Sequence, residues 1–251
     1  MQRYFIKLSY NGANYHGWQV QNNANTVQAE VEKALAVLLS GKIEITGAGR
    51  TDTGVHAKEY FVHFDWGEKL NTAKLSNVIY RMNAILPEDI SVQNIFPVSS
   101  DAHARFSAIS RTYCYYISRY KNPFKRDNAW NVYGNLDVER MNKASAILFE
   151  YSDFSCFAKL HSDVKTNHCK IMQAEWKEEN SMLVFTIKAD RFLRNMVRAI
   201  VGTIVDIGKG KISIEKFRKI IESNNRSEAG YSVPAQGLFL EEIKYPDSIF
   251  I

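Results

Sequence analysis

Apolar and polar positions alternate along the first segment of the chain. Tyr4, Ile6, Leu8 and Tyr10 stand opposite Phe5, Lys7 and Ser9, which is the period of a β-strand. Asn11-Gly12 breaks it. The period then lengthens: Val27, Val31, Leu35 and Leu38 recur at helical spacing. This predicts a helix over 26–40, stopped by Gly41, with Asn25 as cap and Gln28 reaching back in a capping box. Residues 43–46 read as a short strand and 47–54 as a glycine-containing loop. Tyr60, Val62 and Phe64, alternating with His63 and Asp65, read as another strand. A helical stripe of Leu75, Val78, Ile79, Met82, Ile85 and Leu86 ends before Pro87, and a strand over 90–98 follows.

The second half repeats these element types without a residue-level repeat. A strand rich in Tyr and Ile over 107–119 leads into the loop KNPFKRDN. A helix over 138–149 follows Asp137 as N-cap. Strands over 170–178 and 181–189 flank Glu179-Asn180, a hairpin signal without the favoured glycine. Further helices are expected over 191–207, ending at Gly208, and from Ser213 to Glu222; the last strand is 238–244. Helices and strands mix without a strict βαβ rhythm, which predicts an α+β fold with mainly antiparallel sheets. Two domains are expected, 1–104 and 105–251.

Composition narrows the class. A chain of 251 residues with 45% hydrophobic positions has ample material for a packed core. Three cysteines, an odd and sparse set, argue against a disulfide framework and suit a reducing, cytoplasmic setting. No run of roughly 18 apolar residues predicts a membrane span. The net charge of +5 is modest, but it is unevenly placed: residues 186–219 hold nine Lys and Arg against three acids. Arg191, Arg194 and Arg198 fall at i, i+3 and i+7, one face of the helix expected there, as a phosphate-binding stripe requires. A solvated or acid-paired face has the same pattern. Arg119, Lys121, Lys125 and Arg126, with Phe124 among them, form a second basic set.

The densest chemistry lies in Gly47-Ala48-Gly49-Arg50-Thr51-Asp52-Thr53-Gly54-Val55-His56-Ala57. A dinucleotide-binding loop would need glycine where Asp52 stands, and a Walker loop would need Lys and Ser/Thr where Val55 and His56 stand. What remains is a carboxylate two residues from a guanidinium, flanked by glycines. Such a pair holds a carboxylate ionised and aimed, as a nucleophile or base requires. It serves equally to brace a turn, and spacing alone does not separate the two. Cys156, His161, His168 and Cys169 have poor zinc spacing, so no metal is expected. His56 is expected to pack the turn.

GRTDTGVHA (49–57) resembles the signature of the tRNA pseudouridine synthase A family, with Thr53 where the usual form has alanine. Further blocks resemble that family in its order: SYNGANYHGWQVQ (9–21), TVQ (26–28), HARFSA (103–108), RTYCYYI (111–117), DFSCFA (153–158), FLRNMVRAIVGTIVDIG (192–208) and PAQGLFLEEIKYP (234–246). RTYCYYI lacks the second arginine that many relatives carry after Arg111. The resemblance implies an isomerase that converts uridine to pseudouridine at nucleotides 38 to 40 of the tRNA anticodon stem-loop, acting on a flipped-out base. It implies no cofactor, a homodimer, and two α+β domains whose sheets join around an active cleft. It assigns Asp52 as the catalytic carboxylate, Arg50 as its orienting partner, and Tyr113 as the active-site tyrosine that holds the base or moves a proton. Leu238 becomes an apolar wall of the uracil pocket. Arg105 and Arg111, in the matched blocks, become contacts to the tRNA, beside the stripe of Arg191, Arg194 and Arg198 read from spacing. Two other readings remain at this point: a non-catalytic RNA-binding protein presenting aromatic strands to bases, and a nucleotide- or metal-dependent enzyme of another kind.

Overall fold

The computed structural model describes residues 1–39, 41–67, 69–159 and 166–251. Ser40, at the end of the first expected helix, and His161, one of the tested zinc ligands, lie outside the described residues. The chain divides into two compact units, Met1–Ile109 with Leu240–Ile251, and Ser110–Phe239.

In the first unit β1 (Gln2–Tyr10) lies between β3 (His56–Trp66) and β4 (Ile90–Val98), antiparallel to both. The two-residue β2 (Thr46–Gly47) pairs with β3. On the other side of β3 runs the end of β9 (Leu238–Lys244), where the Ile243 N–H donates to Glu59 at 3.0 Å and Lys58 meets Glu241 at 2.8 Å. Helices α1 (Val27–Leu39) and α2 (Thr72–Ile85) pack on each other, and α2 also packs on β4. Asn71 caps α2 by accepting from the Lys74 N–H at 2.9 Å. The alternation in β1 does not mark a wet face. Phe5 is fully buried in an aromatic cluster with Phe61, Phe96 and Tyr245, so β1 carries apolar contacts on both sides.

In the second unit β8 (Met182–Ala189) lies between β5 (Ser110–Ser118) and β7 (Ile171–Glu179), again antiparallel, and β6 (Trp130–Asn131) runs parallel to β5. Three helices, α3 (Val138–Ile147), α4 (Met196–Gly208) and α5 (Ile214–Glu222), complete it. Nearly every residue of α4 is buried, so it is a core helix rather than an amphipathic one. Asp137 and Ser213 cap α3 and α5 by accepting from the N–H groups of Arg140 and Lys216. The expected α+β fold with mainly antiparallel pairing is the fold observed. Among the described residues, no helix is long and apolar enough to cross a membrane.

Several local expectations are corrected. Residues 43–45 form no strand; the Ile45 backbone is instead bonded by side chains of α1, with its N–H on Glu32 and its carbonyl on Gln28. Gln28 therefore builds no capping box: its carbonyl oxygen accepts from Gln19 and the Val20 N–H. The β7–β8 turn is Asn180-Ser181, one residue later than expected. The helix expected from 191 starts at Met196, because Asn195 is left-handed (φ 67°) and its amide bonds the Ser232 hydroxyl. Arg191 and Arg194 thus precede α4, and no helix face carries the three arginines together.

Candidate active site

The loop after β2 is held at almost every residue. The Ala48 N–H donates to the Phe61 carbonyl at 2.9 Å. The Tyr60 hydroxyl donates to the Gly49 carbonyl at 2.5 Å. The hydroxyls of Thr51 and Tyr10 are 2.9 Å apart, and the Thr51 carbonyl accepts from the Trp18 N–H at 3.4 Å. A turn follows in which the Val55 N–H returns to the Asp52 carbonyl at 3.1 Å. Gly54, at φ 77°, takes the third position of that turn, where a type II turn requires positive φ. His56 is buried and accepts the Gly12 N–H on Nδ1 at 3.1 Å, which leaves its proton on Nε2 and gives it a packing role.

The segment 9–18 is the other half of this assembly. Gly17 (φ +90°) lies so close that a Cβ there would come 2.3 Å from the Thr51 carbonyl oxygen. The two sequence blocks, distant in the chain, form one packed body with Asp52 at its turn. Asp52 is half-buried; Arg50 and Thr53 are exposed. At the exposed second corner of the turn, threonine fits as readily as alanine. The loop turns at Asp52, and Arg50 lines an open pocket together with Arg105.

The remaining candidates stand in the second unit. Tyr113, half-buried on β5 opposite Ile187, meets Phe192 edge-on with ring centres 5.1 Å apart. Arg111 donates from Nη1 to the Asp190 carbonyl at 3.1 Å. Leu238 is buried at the start of β9, behind a short turn over 235–237. Arg198 donates from Nε to the Val233 carbonyl at 2.7 Å. Arg191 is half-buried, with its backbone N–H on Asp190, and Arg194 is exposed.

Two supports escaped the sequence reading. Tyr115 is fully buried and donates to the Pro234 carbonyl at 2.7 Å; burial pushes its pKa well up. Arg226 donates to the Gly230 carbonyl at 3.1 Å and the Ser232 hydroxyl at 2.9 Å, fixing the approach to Leu238. Glycine and proline around 230–237 were the available signal. Among the described residues, no group of three or more His, Cys, Asp or Glu is placed to hold a metal. Burial raises the Cys156 and Cys169 thiols to about 12, so both stay protonated and inert at neutral pH.

The tRNA pseudouridine synthase A of Bacteroides thetaiotaomicron is 53% identical to this chain over 253 residues, covering 100% of this chain and 93% of that protein. The chain belongs to the tRNA pseudouridine synthase family. The family model described as tRNA pseudouridine synthase matches residues 151–246. The tRNA pseudouridine synthase A of Bacillus licheniformis is 40% identical (95% of this chain, 97% of that one), and that of Acetivibrio thermocellus 38% identical (98% and 100%). Pseudouridine synthases are isomerases, so membership in the tRNA pseudouridine synthase family sets aside the readings as a non-catalytic RNA binder and as a nucleotide- or metal-dependent enzyme.

Proposed function

We propose that this protein isomerises uridine to pseudouridine at nucleotides 38 to 40 of the tRNA anticodon stem-loop, with Asp52 as the catalytic carboxylate. The observation that carries this reading is the fixing of Asp52. Thr51 before it is held by Tyr10 and Trp18, and the turn after it is closed by Val55 and Gly54. A half-buried carboxylate on a rigid turn is preorganised to act on a substrate carbon or on developing positive charge.

The reaction breaks the bond from ribose C1′ to uracil N1, turns the base, and joins C1′ to C5. The C5 proton leaves and N1 ends protonated, so atoms and electrons balance without a redox partner. A uridine within a stem must leave the stack before a side chain reaches it. Tyr113 offers the base an aromatic face and a phenol for proton transfer at C5, and Leu238 an apolar wall. Arg50, Arg105, Arg111, Arg191, Arg194 and Arg198 serve the RNA. The protein acts as a cytoplasmic homodimer.

Incubation with unmodified tRNA, followed by carbodiimide labelling of pseudouridine and primer extension, tests this reading. Labels at nucleotides 38 to 40 with the wild type, and none with Asp52→Asn at unchanged melting temperature, are expected. Near-wild-type turnover in Asp52→Asn, or labels only elsewhere, overturns it.

A further inference from the structure

Asp89 is half-buried in the turn between α2 and β4, where the Ile90 N–H returns to the Pro87 carbonyl at 3.0 Å. Its carbonyl and both of its carboxylate oxygens accept from the segment 11–15. The Asn11 N–H donates to the carbonyl at 2.8 Å, the Asn14 amide to Oδ2 at 3.2 Å, and the Tyr15 hydroxyl to Oδ1 at 2.5 Å. Tyr15 is 3% exposed. Burial, and then the Asp89 carboxylate, push its phenol well up, so it stays protonated and donates at neutral pH. A phenol on a carboxylate makes a short, charge-assisted bond, stronger than one between neutral groups.

The same segment also lies on the Asp52 loop. The Tyr15 carbonyl accepts the Gly54 N–H at 3.3 Å, and Gly54 supplies the positive φ of the turn that begins at Asp52. The Tyr15 N–H donates to the Gly12 carbonyl at 3.0 Å, closing a short 3-10 turn over Gly12–Asn14. The Gly12 N–H donates to His56 Nδ1 at 3.1 Å, and a Cβ on Gly12 would come 2.0 Å from the Val55 carbonyl oxygen. The 12–15 turn is thus in direct backbone contact with the loop. Tyr15 joins the two ends of the chain of contacts: its phenol is fixed by Asp89, and its carbonyl holds the turn. A reacting carboxylate must be placed to a fraction of an ångström, because a 1 Å error costs about 100-fold in rate.

We propose that Asp89 is a positioning residue for the reaction: through the Tyr15 phenol it sets the place of Gly54 and so aims the Asp52 carboxylate. The inference rests on the reading of Asp52 as the catalytic group.

The test measures tritium release from unmodified tRNA carrying uridine tritiated at C5, well below the melting temperature of every variant. The variants are Asp89→Ala, Asp89→Asn, Tyr15→Phe and the double Asp89→Ala/Tyr15→Phe, with Asp52→Asn in parallel. Asn83→Ala serves as control: Asn83 bonds both the N–H and the carbonyl of Val92, so its loss loosens the contact of α2 with β4 without touching the 12–15 turn. Asp89→Ala and Tyr15→Phe each lower kcat by about 10- to 100-fold with KM within threefold. The double variant loses no more than the worse single one, because both remove the same bond. Asp89→Asn, whose amide oxygen still accepts from the phenol, recovers most of kcat, and Asn83→Ala keeps kcat. A kcat within threefold of wild type in Asp89→Ala, losses that multiply in the double variant, or an equal fall in Asn83→Ala overturns the proposal. Any of these beside an inactive Asp52→Asn sinks this inference alone. An active Asp52→Asn sinks the catalytic reading and takes this inference with it.

Discussion

The hydroxyls of Tyr10 and Thr51 lie 2.9 Å apart, and both residues are buried. Tyr10 ends β1, and Thr51 precedes Asp52. The first strand thus reaches the residue beside the carboxylate. Tyr10→Phe removes that partner and leaves the buried Thr51 hydroxyl without it, a loss of about 1 kcal/mol. Denaturant unfolding is expected to show this loss, and steady-state kinetics a lower kcat with little change in KM. Full stability together with full kcat means that the hydroxyl pair neither stabilises nor orients the loop.

Gly54 tests the turn itself. Its φ of 77° costs an L-residue roughly 1–2 kcal/mol, so Gly54→Ala strains the turn that begins at Asp52. Gly210, at φ 71° with open space where a Cβ would go, provides a matched control remote in sequence from the loop. Both variants are expected to lose similar stability in urea melts, and only Gly54→Ala to lose turnover. Equal turnover in the two dissociates the backbone of the turn from catalysis.

What could be read in advance follows how local each cause is. The last strand, Leu238 to Lys244, appears with the expected bounds, because alternation between a glycine and a proline is a local signal. The caps Asp137 and Ser213 act within three residues and were equally legible. The Asp52 loop was visible through its glycines and acid. Its supports were not, since Tyr10, Trp18 and Tyr15 reach it from more than thirty residues away. The return of 240–244 to β3 rests on contacts such as Lys58 with Glu241, which no local period reports. The arginine stripe failed for one conformational reason: Asn195 enters the left-handed region and delays α4. A helical period drawn through such a residue places Arg191 and Arg194 on a face that does not exist.

His63 gives a pH dependence with a definite sign. Burial, with help from the nearby His103 and Arg3 charges and against Asp65, lowers its pKa to about 4. It is neutral in the fold and accepts the Ala104 N–H at 3.2 Å. An unfolded histidine takes its proton near 6.5, so the unfolded state gains protons first as pH falls. The contribution is fully present above about pH 6.5 and is lost toward pH 4, by at most about 3 kcal/mol. The lowered pKa of His103 acts in the same direction. Urea unfolding at pH 7.5 and pH 5 is expected to show a larger drop for wild type than for His63→Gln. Identical drops remove His63 as the cause.

The Tyr113 ring is braced edge-on by Phe192 at 5.1 Å, a contact that does not use its hydroxyl. Phenylalanine there keeps the ring, whereas alanine removes it. A positioned proton-transfer group contributes about 10²- to 10⁴-fold, so Tyr113→Phe is expected to lower kcat by that order and leave KM within a few fold. Tyr113→Ala is expected to impair both. A fully active Tyr113→Phe confines the residue to stacking.

The β7–β8 turn offers a stabilising change. Glu179 pairs with Met182, and between them Asn180 (φ 49°) and Ser181 (φ 63°) are both left-handed, as a type I′ hairpin requires. Asparagine suits that region; serine does so poorly. Ser181→Gly removes about 1–2 kcal/mol of backbone strain and returns roughly 0.5–1 kcal/mol to the entropy of the unfolded chain. The net expectation is a gain of about 0.5–1 kcal/mol, seen as a higher urea midpoint at unchanged slope. Turnover should not move, because the hairpin carries none of the residues assigned to the reaction. A lower midpoint means that Ser181 makes a contact worth more than the strain it bears.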